Sequence, residues 1–398
     1  MTVIGQIDAR APPKLRPIEV LKTTLWLLVK IPWIIIATSL DQVLRKAITG
    51  TWSENVKEAV VICIGQNMPV HMIRRLRSPS TSTIHNSTRY SSIGSQLLEK
   101  VHESTFEGYW ICRGLAPGPT APKNADVVIF YLHGGGYVLG HPLSDATNLL
   151  CMAEVMAEVG MTTAIFGLRY TLAPRGTILH QRRETLAAYT WLTNEMGVSP
   201  SKIVIMGESA GGHLILSFLV FLHLQHLQSR QSELSEKCPR KPRHAFLVSP
   251  WCDLHNSNRK VVNLRRAEQG FKELLTTWSH LELKGLDPAQ KSLYLNFAEK
   301  NNDRGSWKDI LPQNTWVSAG DDEAIFMYDI DDFVQHARSD GARVQYTVKS
   351  MGRHTWQSAA SRGHHRTFLD SKADVKTLQL LSGYKELAEA IIKSIKDE

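Results

Sequence analysis

Hydrophobic positions after residue 125 fall into short apolar runs separated by longer amphipathic stretches. The runs are rich in β-branched and aromatic residues, which is typical of strands buried on both faces of a sheet. The stretches between them have the length and period of helices. The predicted strands cover about residues 126–132, 162–168, 202–206, 244–249, 315–318 and 343–348, and the predicted helices about 143–159, 181–196, 210–227, 324–338 and 385–395. This alternation predicts an α/β fold with a doubly wound, mostly parallel sheet.

Two regions do not follow the alternation. Residues 1–124 are irregular in pattern, and residues 254–310 are polar and helical in tendency. We expect both to lie above the sheet as a helical cap. The predicted organisation is therefore an N-terminal apolar segment with cap helices over 1–124 and a main α/β domain over 125–398, with a cap insertion at about 254–310.

Residues 21–40 contain an apolar stretch, which is the one segment of the sequence that resembles a targeting signal or a membrane anchor. Trp26 and Trp33 suit a membrane interface, whereas Lys30 and Pro32 interrupt the stretch. A spanning helix needs about 20 apolar residues, and a central lysine costs a few kcal/mol. The segment therefore predicts either a membrane anchor, for instance in the endoplasmic reticulum, or a cap helix of a cytoplasmic protein.

Composition excludes several classes of protein. The 398 residues are 43% hydrophobic and 21% charged, which excludes a disordered chain, a collagen-like fibre and a polytopic membrane protein. The net charge of +8 is scattered along the chain without a nucleic-acid-binding motif, so no nucleic-acid partner is expected. The five cysteines are odd in number and widely spaced, which predicts neither a disulfide framework nor a thiolate zinc site.

The third predicted strand runs directly into Gly207-Glu208-Ser209-Ala210-Gly211, a G-x-S-x-G pattern. Chance matches to so short a pattern are common, but a strand before it and a helix after it are what a nucleophile elbow requires. The flanking glycines let the backbone turn sharply and leave the Ser209 hydroxyl at the carboxyl edge of the sheet. Ser209 is therefore the candidate nucleophile.

A second glycine-rich loop follows the first predicted strand, as His133-Gly134-Gly135-Gly136-Tyr137. Glycines allow backbone N–H groups to approach a substrate carbonyl closely, so the loop predicts an oxyanion hole. The expected donors are the N–H groups of Gly135, Gly136 and Ala210. His133 precedes the glycines and is expected to shape the loop rather than to act as a base.

A serine nucleophile needs a histidine base and a carboxylate that orients it, and in this architecture they follow the serine in that order. His354 comes just after the sixth predicted strand and is the candidate base. Three acids follow the fifth strand, and among them Asp322 is the first choice, Asp321 the second and Glu323 the third.

Together these motifs resemble the hormone-sensitive-lipase-like branch of the α/β hydrolases. The resemblance extends over about residues 105–355 and includes features similar to fungal members, several of which belong to secondary-metabolite pathways. It departs from the usual pattern at Thr355, where the family usually has glycine, at Arg175–Thr177 and at 357–380, which looks inserted. The segments that carry the resemblance are 107–111, 133–137, 170–174, 207–213, 249–253 and 307–312.

The resemblance implies a Ser/Asp/His esterase whose cap combines N-terminal helices with an insertion after a central strand. The predicted function is hydrolysis of a small or medium hydrophobic ester through an acyl-enzyme, with no metal or organic cofactor. Two alternatives remain: a thioesterase, acyltransferase or cyclase that uses the same acyl-enzyme, and a non-catalytic ligand-binding protein on a hydrolase scaffold.

Overall fold

The structure, a computed structural model, describes residues 16–45, 52–76, 79–115, 118–231, 238–262, 264, 266–372 and 375–397. The strands are β1 (Glu99–His102), β2 (Glu107–Arg113), β3 (Val127–Leu132), β4 (Thr163–Leu168), β5 (Ile203–Glu208), β6 (His244–Val248), β7 (Asn314–Gly320) and β8 (Val344–Lys349). The helices are α1 (Pro17–Arg45), α2 (Trp52–Asn67), α3 (Val70–Leu76), α4 (Ser82–His85), α5 (Ala146–Glu158), α6 (Ile178–Thr190), α7 (Ala210–Gln231), α8 (Arg266–Glu282), α9 (Pro288–Tyr294), α10 (Trp307–Ile310), α11 (Met327–Ser339), α12 (Trp356–Ser361), α13 (His365–Asp370) and α14 (Ser382–Lys396).

One sheet contains all these strands, in the order β1-β2-β4-β3-β5-β6-β7-β8. The pairs from β4 through β3 to β8 are parallel, while β1 and β2 join one edge antiparallel. The α/β fold class with a mostly parallel sheet is therefore confirmed, and each of the six predicted strands is present. The sheet also extends upstream of the predicted boundary at residue 125, because β1 and β2 lie within the region that showed no strand pattern.

Side chains alternate between two hydrophobic cores, one on each face of the sheet. On β3, Val128, Phe130 and Leu132 belong to one core, and Val127, Ile129 and Tyr131 belong to the other. Residues of α6, α7 and α11 fill the first core, and residues of α5 and α14 fill the second. Helices thus cover both faces, which explains why the central strands are apolar without interruption.

Helices from the two off-pattern regions pack against each other. A Cβ on Gly65 of α2 would come within 2.7 Å of Leu274 on α8, and Gln66 donates a hydrogen bond to the carbonyl of Gly270 at 2.9 Å. Met68, Met72 and Ile73 of the same N-terminal region join the core on the α6 and α7 face. Helices of the two regions that were predicted to form the cap therefore contact each other.

Helix α1 presents one apolar face to the outside. Thr23 contacts the Met72 sulfur at 3.6 Å, and Leu27 is partly buried against the core. The window Pro17–Leu40 is long and apolar enough to cross a membrane, and none of it is buried. A second window, Ala210–Ser229, passes the same test but is two-thirds buried, as expected of a core helix. The exposed apolar side chains of α1 are Ile18, Val20, Leu21, Leu25, Leu28, Val29, Trp33, Ile36, Leu40 and Val43.

Candidate active site

Ser209 lies in a tight turn between β5 and α7. Its φ of 52° is in the left-handed region, and its side chain is nearly buried, with 8% of the residue exposed. A Cβ on Gly207 would lie 2.7 Å from the backbone of Gly211, and one on Gly211 would collide with the carbonyl of Leu132. The turn is therefore possible only with glycine on both sides of the serine, as a nucleophile elbow requires.

The glycine loop after β3 lies against this elbow. A Cβ on Gly134 would come 3.5 Å from the Ser209 Cβ. Gly135 and Gly136 have φ values of 113° and 60°, so both use backbone conformations that favour glycine. A Cβ on Gly136 would collide with the indole of Trp278 on α8. Two of the three predicted donors, Gly135 and Gly136, thus come from a loop that lies between the elbow and Trp278 of α8.

Buried aromatic and imidazole rings hold the glycine loop in shape. The His133 ring stacks on Tyr170 at a centroid distance of 4.1 Å, and its Nδ1 lies 2.8 Å from the carbonyl oxygen of Gly134. Burial lowers the pKa of His133 to about 4, so the ring is neutral at pH 7. The Tyr137 hydroxyl lies 2.6 Å from Nδ1 of His213, whose pKa burial lowers to about 3. His133 therefore shapes the loop, as expected from its position.

The cap supplies a support for this loop that the sequence did not reveal. Arg74 on α3 donates hydrogen bonds to the carbonyl of Val138, at 2.8 Å through Nε, and to that of Ala173. The Ala173 N–H in turn donates to the carbonyl of Tyr137 at 3.1 Å. The charge and fork geometry of a guanidinium suit it to bind two carbonyls at once.

His354 is oriented by a carboxylate. Its Nδ1 lies 2.7 Å from Oε2 of Glu323, which is 4% exposed. The other oxygen of that carboxylate accepts hydrogen bonds from the N–H of Gly320 at 2.5 Å and the hydroxyl of Ser249 at 3.0 Å. The ring of Phe326 stacks on the imidazole at a centroid distance of 4.1 Å. His354 is thus held on its Nδ1 side and on one ring face.

Glu323, and not Asp322, is the acid that contacts His354, so the first choice among the three acids is corrected. The Asp322 carboxylate lies 3.4 Å from Arg353 Nε and is partly exposed. Asp321 is exposed, and its N–H donates to the carbonyl of Lys349. The turn after Gly320 explains the difference. It directs the side chains of Asp321 and Asp322 outward, whereas the longer side chain of Glu323 points inward to His354.

Ser249 joins the three loops of the site. It follows β6, has a φ of 41° and is fully buried. Its hydroxyl donates to Glu323 and accepts a hydrogen bond from the Thr355 N–H at 3.1 Å. The carbonyl of Val248, the residue before Ser249, accepts a hydrogen bond from the Ser209 N–H at 2.9 Å. The segment was noticed in the sequence only as a family signature, because the partners of this hydroxyl come from loops distant in the chain.

The elements that carry the site are neighbours in the sheet. Ser209, Glu323 and His354 follow β5, β7 and β8, and β6 lies between the first two of these strands. Ala210 is the first residue of α7, where the backbone N–H groups have no partner within the helix. Among the described residues, no side-chain hydrogen bond joins Ser209 to His354, and no group of three metal-ligating side chains occurs. Catalytic hydrogen bonds are often long before substrate binds.

Solved esterase structures share this fold. The structure of the esterase EstE5 soaked with ethyl alcohol superposes with a TM-score of 0.56 at 20% identity, covering 89% of this chain and 99% of that one. A hormone-sensitive lipase from a metagenome library superposes with a TM-score of 0.57 at 19% identity, covering 85% of this chain and 97% of that one.

Curated relatives include Steryl acetyl hydrolase 1 of Saccharomyces cerevisiae, 24% identical over 57% of this chain and 50% of that protein. Ethyl acetate hydrolase of Pseudomonas putida is 31% identical over 25% of this chain and 30% of that protein. The chain spans between a fifth and about half the length of such relatives. The sequence profile of the steryl acetyl hydrolase family matches residues 39–357. Because that match covers most of the chain, the protein belongs to the steryl acetyl hydrolase family. Its fold is that of the hormone-sensitive-lipase-like α/β hydrolases, the branch that its motifs predicted.

Proposed function

We propose that this protein is a serine carboxylic-ester hydrolase that removes an acetyl or similarly short acyl group from a lipophilic alcohol. The observation that carries the proposal is the pair of Glu323 and His354 beside the strained elbow of Ser209, at the carboxyl edge of the sheet. That set supplies a nucleophile, a base and a group that orients the base.

In the proposed reaction, Ser209 Oγ attacks the ester carbonyl while Nε2 of His354 takes the hydroxyl proton. The carbonyl oxygen becomes an oxyanion, which the N–H groups of Gly135, Gly136 and Ala210 stabilise. His354 then gives the proton to the leaving alkoxide, so that the alcohol departs and the acyl group remains on Ser209. Water, activated by His354, hydrolyses that ester and releases the carboxylic acid.

The surroundings of the site support a lipophilic substrate. Trp278 borders Gly136, and Phe326 covers one face of His354 and packs on Phe271 of α8. Aromatic side chains of α8 and of the segment before α11 thus border the candidate reacting groups, which favours an apolar alcohol. The acetyl group is proposed from the names of the family and of its relatives. A place in a fungal secondary-metabolite pathway stays a prediction.

The test uses purified protein with p-nitrophenyl esters from acetate to palmitate and with a steryl acetate. We expect the acetate to be preferred, Ser209→Ala to lose activity and phosphonate labelling, and the control Ser217→Ala, which replaces a buried serine of α7, to keep both. Activity in Ser209→Ala, or labelling of another serine, would refute the assignment. Transfer of the acyl group to an added alcohol or thiol in preference to water would support the acyltransferase alternative instead.

We also propose that α1 binds a membrane surface through its exposed apolar face. One side of the helix already packs on α2 and α3, so the helix can lie in the interface without leaving the protein. Trp33 and Leu28 are more than half exposed on its outer face. An anchor of this kind would bring the site to lipids that carry an acetate.

Flotation with phosphatidylcholine vesicles tests the anchor. The triple variant Leu25→Glu, Leu28→Glu and Trp33→Glu should no longer float, whereas Val61→Glu, which replaces an exposed valine of α2, should float like the wild type. Apolar binding resists high salt, and attraction through the net charge does not. Flotation that survives the triple variant, or that salt abolishes, would refute the proposal.

A further inference from the structure

Two residues beside the pair of Glu323 and His354 have a left-handed backbone without being glycine. Ser249, which follows β6, has a φ of 41°, and Thr355, the residue after His354, has a φ of 52°. A side chain makes this conformation unfavourable, above all a β-branched side chain such as that of threonine. Strain of this kind persists only where the surrounding contacts hold the backbone in place.

A hydrogen bond joins these two strained residues. The Thr355 N–H donates to Oγ of Ser249 at 3.1 Å. Ser249 is fully buried, and its own N–H donates to the carbonyl of Ser318 at 2.8 Å, which fastens it to β7. The Thr355 hydroxyl turns back and donates to the carbonyl of His354 at 2.8 Å. The backbone that follows His354 is therefore held by the side chain of Ser249.

Counting donors fixes the direction of each bond at Ser249. The Thr355 N–H can only donate, so it uses a lone pair of the Ser249 oxygen and leaves the hydroxyl proton free. That proton goes to Oε1 of Glu323, which lies 3.0 Å away. An ionised carboxylate can only accept, so Oε2 of Glu323 accepts the proton on Nδ1 of His354 at 2.7 Å. Every contact in this set thus has one donor and one acceptor.

The same bonds form a closed ring that returns to the base. From the imidazole of His354 they lead through Glu323 and Ser249 to the N–H of Thr355, the next residue of the chain. His354 is thus held at its side chain by Glu323 and at its backbone by Ser249. Because Ser249 is fully buried, solvent water has no access to replace its hydroxyl.

We propose that Ser249 is a positioning residue, whose hydroxyl orients both the Glu323 carboxylate and the loop that carries His354. The inference rests on the proposed function. Glycine would adopt the φ of 41° with less strain, so the presence of serine is explained by what its hydroxyl binds. Because Ser249 is fully buried, it does not touch substrate, and its loss should lower kcat rather than weaken substrate binding.

Kinetics test the positioning role. Ser249→Ala and Ser249→Gly both lack the hydroxyl, and glycine also relieves the backbone strain, so the glycine variant decides the matter if the alanine variant folds poorly. Each should lose about 10- to 100-fold in kcat with KM little changed, since each lacks a hydrogen bond to a charged group. In a Glu323→Gln background, Ser249→Ala should add little to the loss, because Ser249 acts through Glu323. The control Ser361→Ala removes a fully buried hydroxyl of α12, which donates to the carbonyl of Gln357, and should keep the wild-type kcat.

Proton NMR tests the same bonds without relying on activity. The proton between Nδ1 of His354 and Glu323 should give a resonance far downfield, which is assigned by its absence in His354→Ala. This resonance should shift or broaden in both Ser249 variants and stay in place in Ser361→Ala and Ser209→Ala. An unchanged resonance in both Ser249 variants, wild-type kcat in Ser249→Gly, or a fully additive loss in the Glu323→Gln background would each overturn the proposal. Activity in Ser209→Ala would instead refute the proposed function, and the resonance would still report on the role of Ser249.

Discussion

Replacing Glu323 by Gln should remove nearly all activity while leaving the site in shape. The glutamine amide is the same size, but its NH₂ group facing Nδ1 would favour the imidazole tautomer that carries its proton on Nε2, where it cannot accept the serine proton. Loss of the charge also removes the stabilisation of the imidazolium. Because Glu323 is 4% exposed and 2.7 Å from Nδ1, water cannot take its place.

The expected loss in kcat is about 10⁴-fold, the effect of the corresponding change in a serine protease triad, which equals about 5 kcal/mol of transition-state stabilisation. The assay is p-nitrophenyl acetate hydrolysis, with thermal unfolding to verify the fold. Asp322→Asn and Asp321→Asn are matched controls from the same loop, and each should lose less than about tenfold, because Asp322 pairs with Arg353 and Asp321 is exposed. A larger loss in Asp322→Asn than in Glu323→Gln would refute this reading of the loop.

Two further changes probe the site and the core. Gly136→Ala should lower kcat by about 10²- to 10³-fold, since the new Cβ would collide with Trp278 and displace a proposed oxyanion donor. Gly285→Ala is the control and should leave kcat unchanged, because Gly285 has a similar φ of 82° but open space around it. Burial raises the pKa of Asp329 from 3.8 to about 7, so the folded state keeps a proton that the unfolded chain loses. The stability that this group contributes is present below about pH 4 and is lost as pH rises through 7. Urea unfolding should therefore show that the free energy of unfolding of the wild type falls, relative to that of Asp329→Asn, by at most about 4 kcal/mol between pH 4 and pH 8. A difference between the two proteins that does not change with pH would refute this.

The central strands and the elbow were predictable because their signals are local. A strand buried on both faces must be apolar along its whole length, and β3, with Val127 to Leu132, shows this directly in the sequence. The edge strand β1 was missed for the opposite reason: it is four residues long and mostly exposed, so its pairing with β2 leaves no hydrophobic pattern.

The acid was not predictable from its position after a strand. Asp321, Asp322 and Glu323 all follow Gly320, and the residue that reaches His354 depends on how the turn is packed against the next loop. A Cβ on Gly320 would collide with Gly352, so the two loops cross there, and the Asp322 N–H binds the carbonyl of Gly352 at 2.9 Å. That crossing holds Asp322 at the surface beside Arg353 and leaves Glu323 facing inward.

The same reasoning applies to the region predicted to form the cap. Residues 1–124 were expected above the sheet, but β1 and β2 of that region pair within it, and the contacts of its helices are made by single side chains that leave no pattern in the sequence. Arg74 of α3 binds the carbonyls beside the glycine loop, and Glu58 of α2 lies 3.8 Å from Arg353, the neighbour of the base. Helices α2 and α3 therefore contact the loops that carry the candidate site residues. Helix α1 contacts the same two helices, through Trp52 of α2 and through His71 and Met72 of α3, so the membrane face proposed for α1 is connected to those loops through α2 and α3.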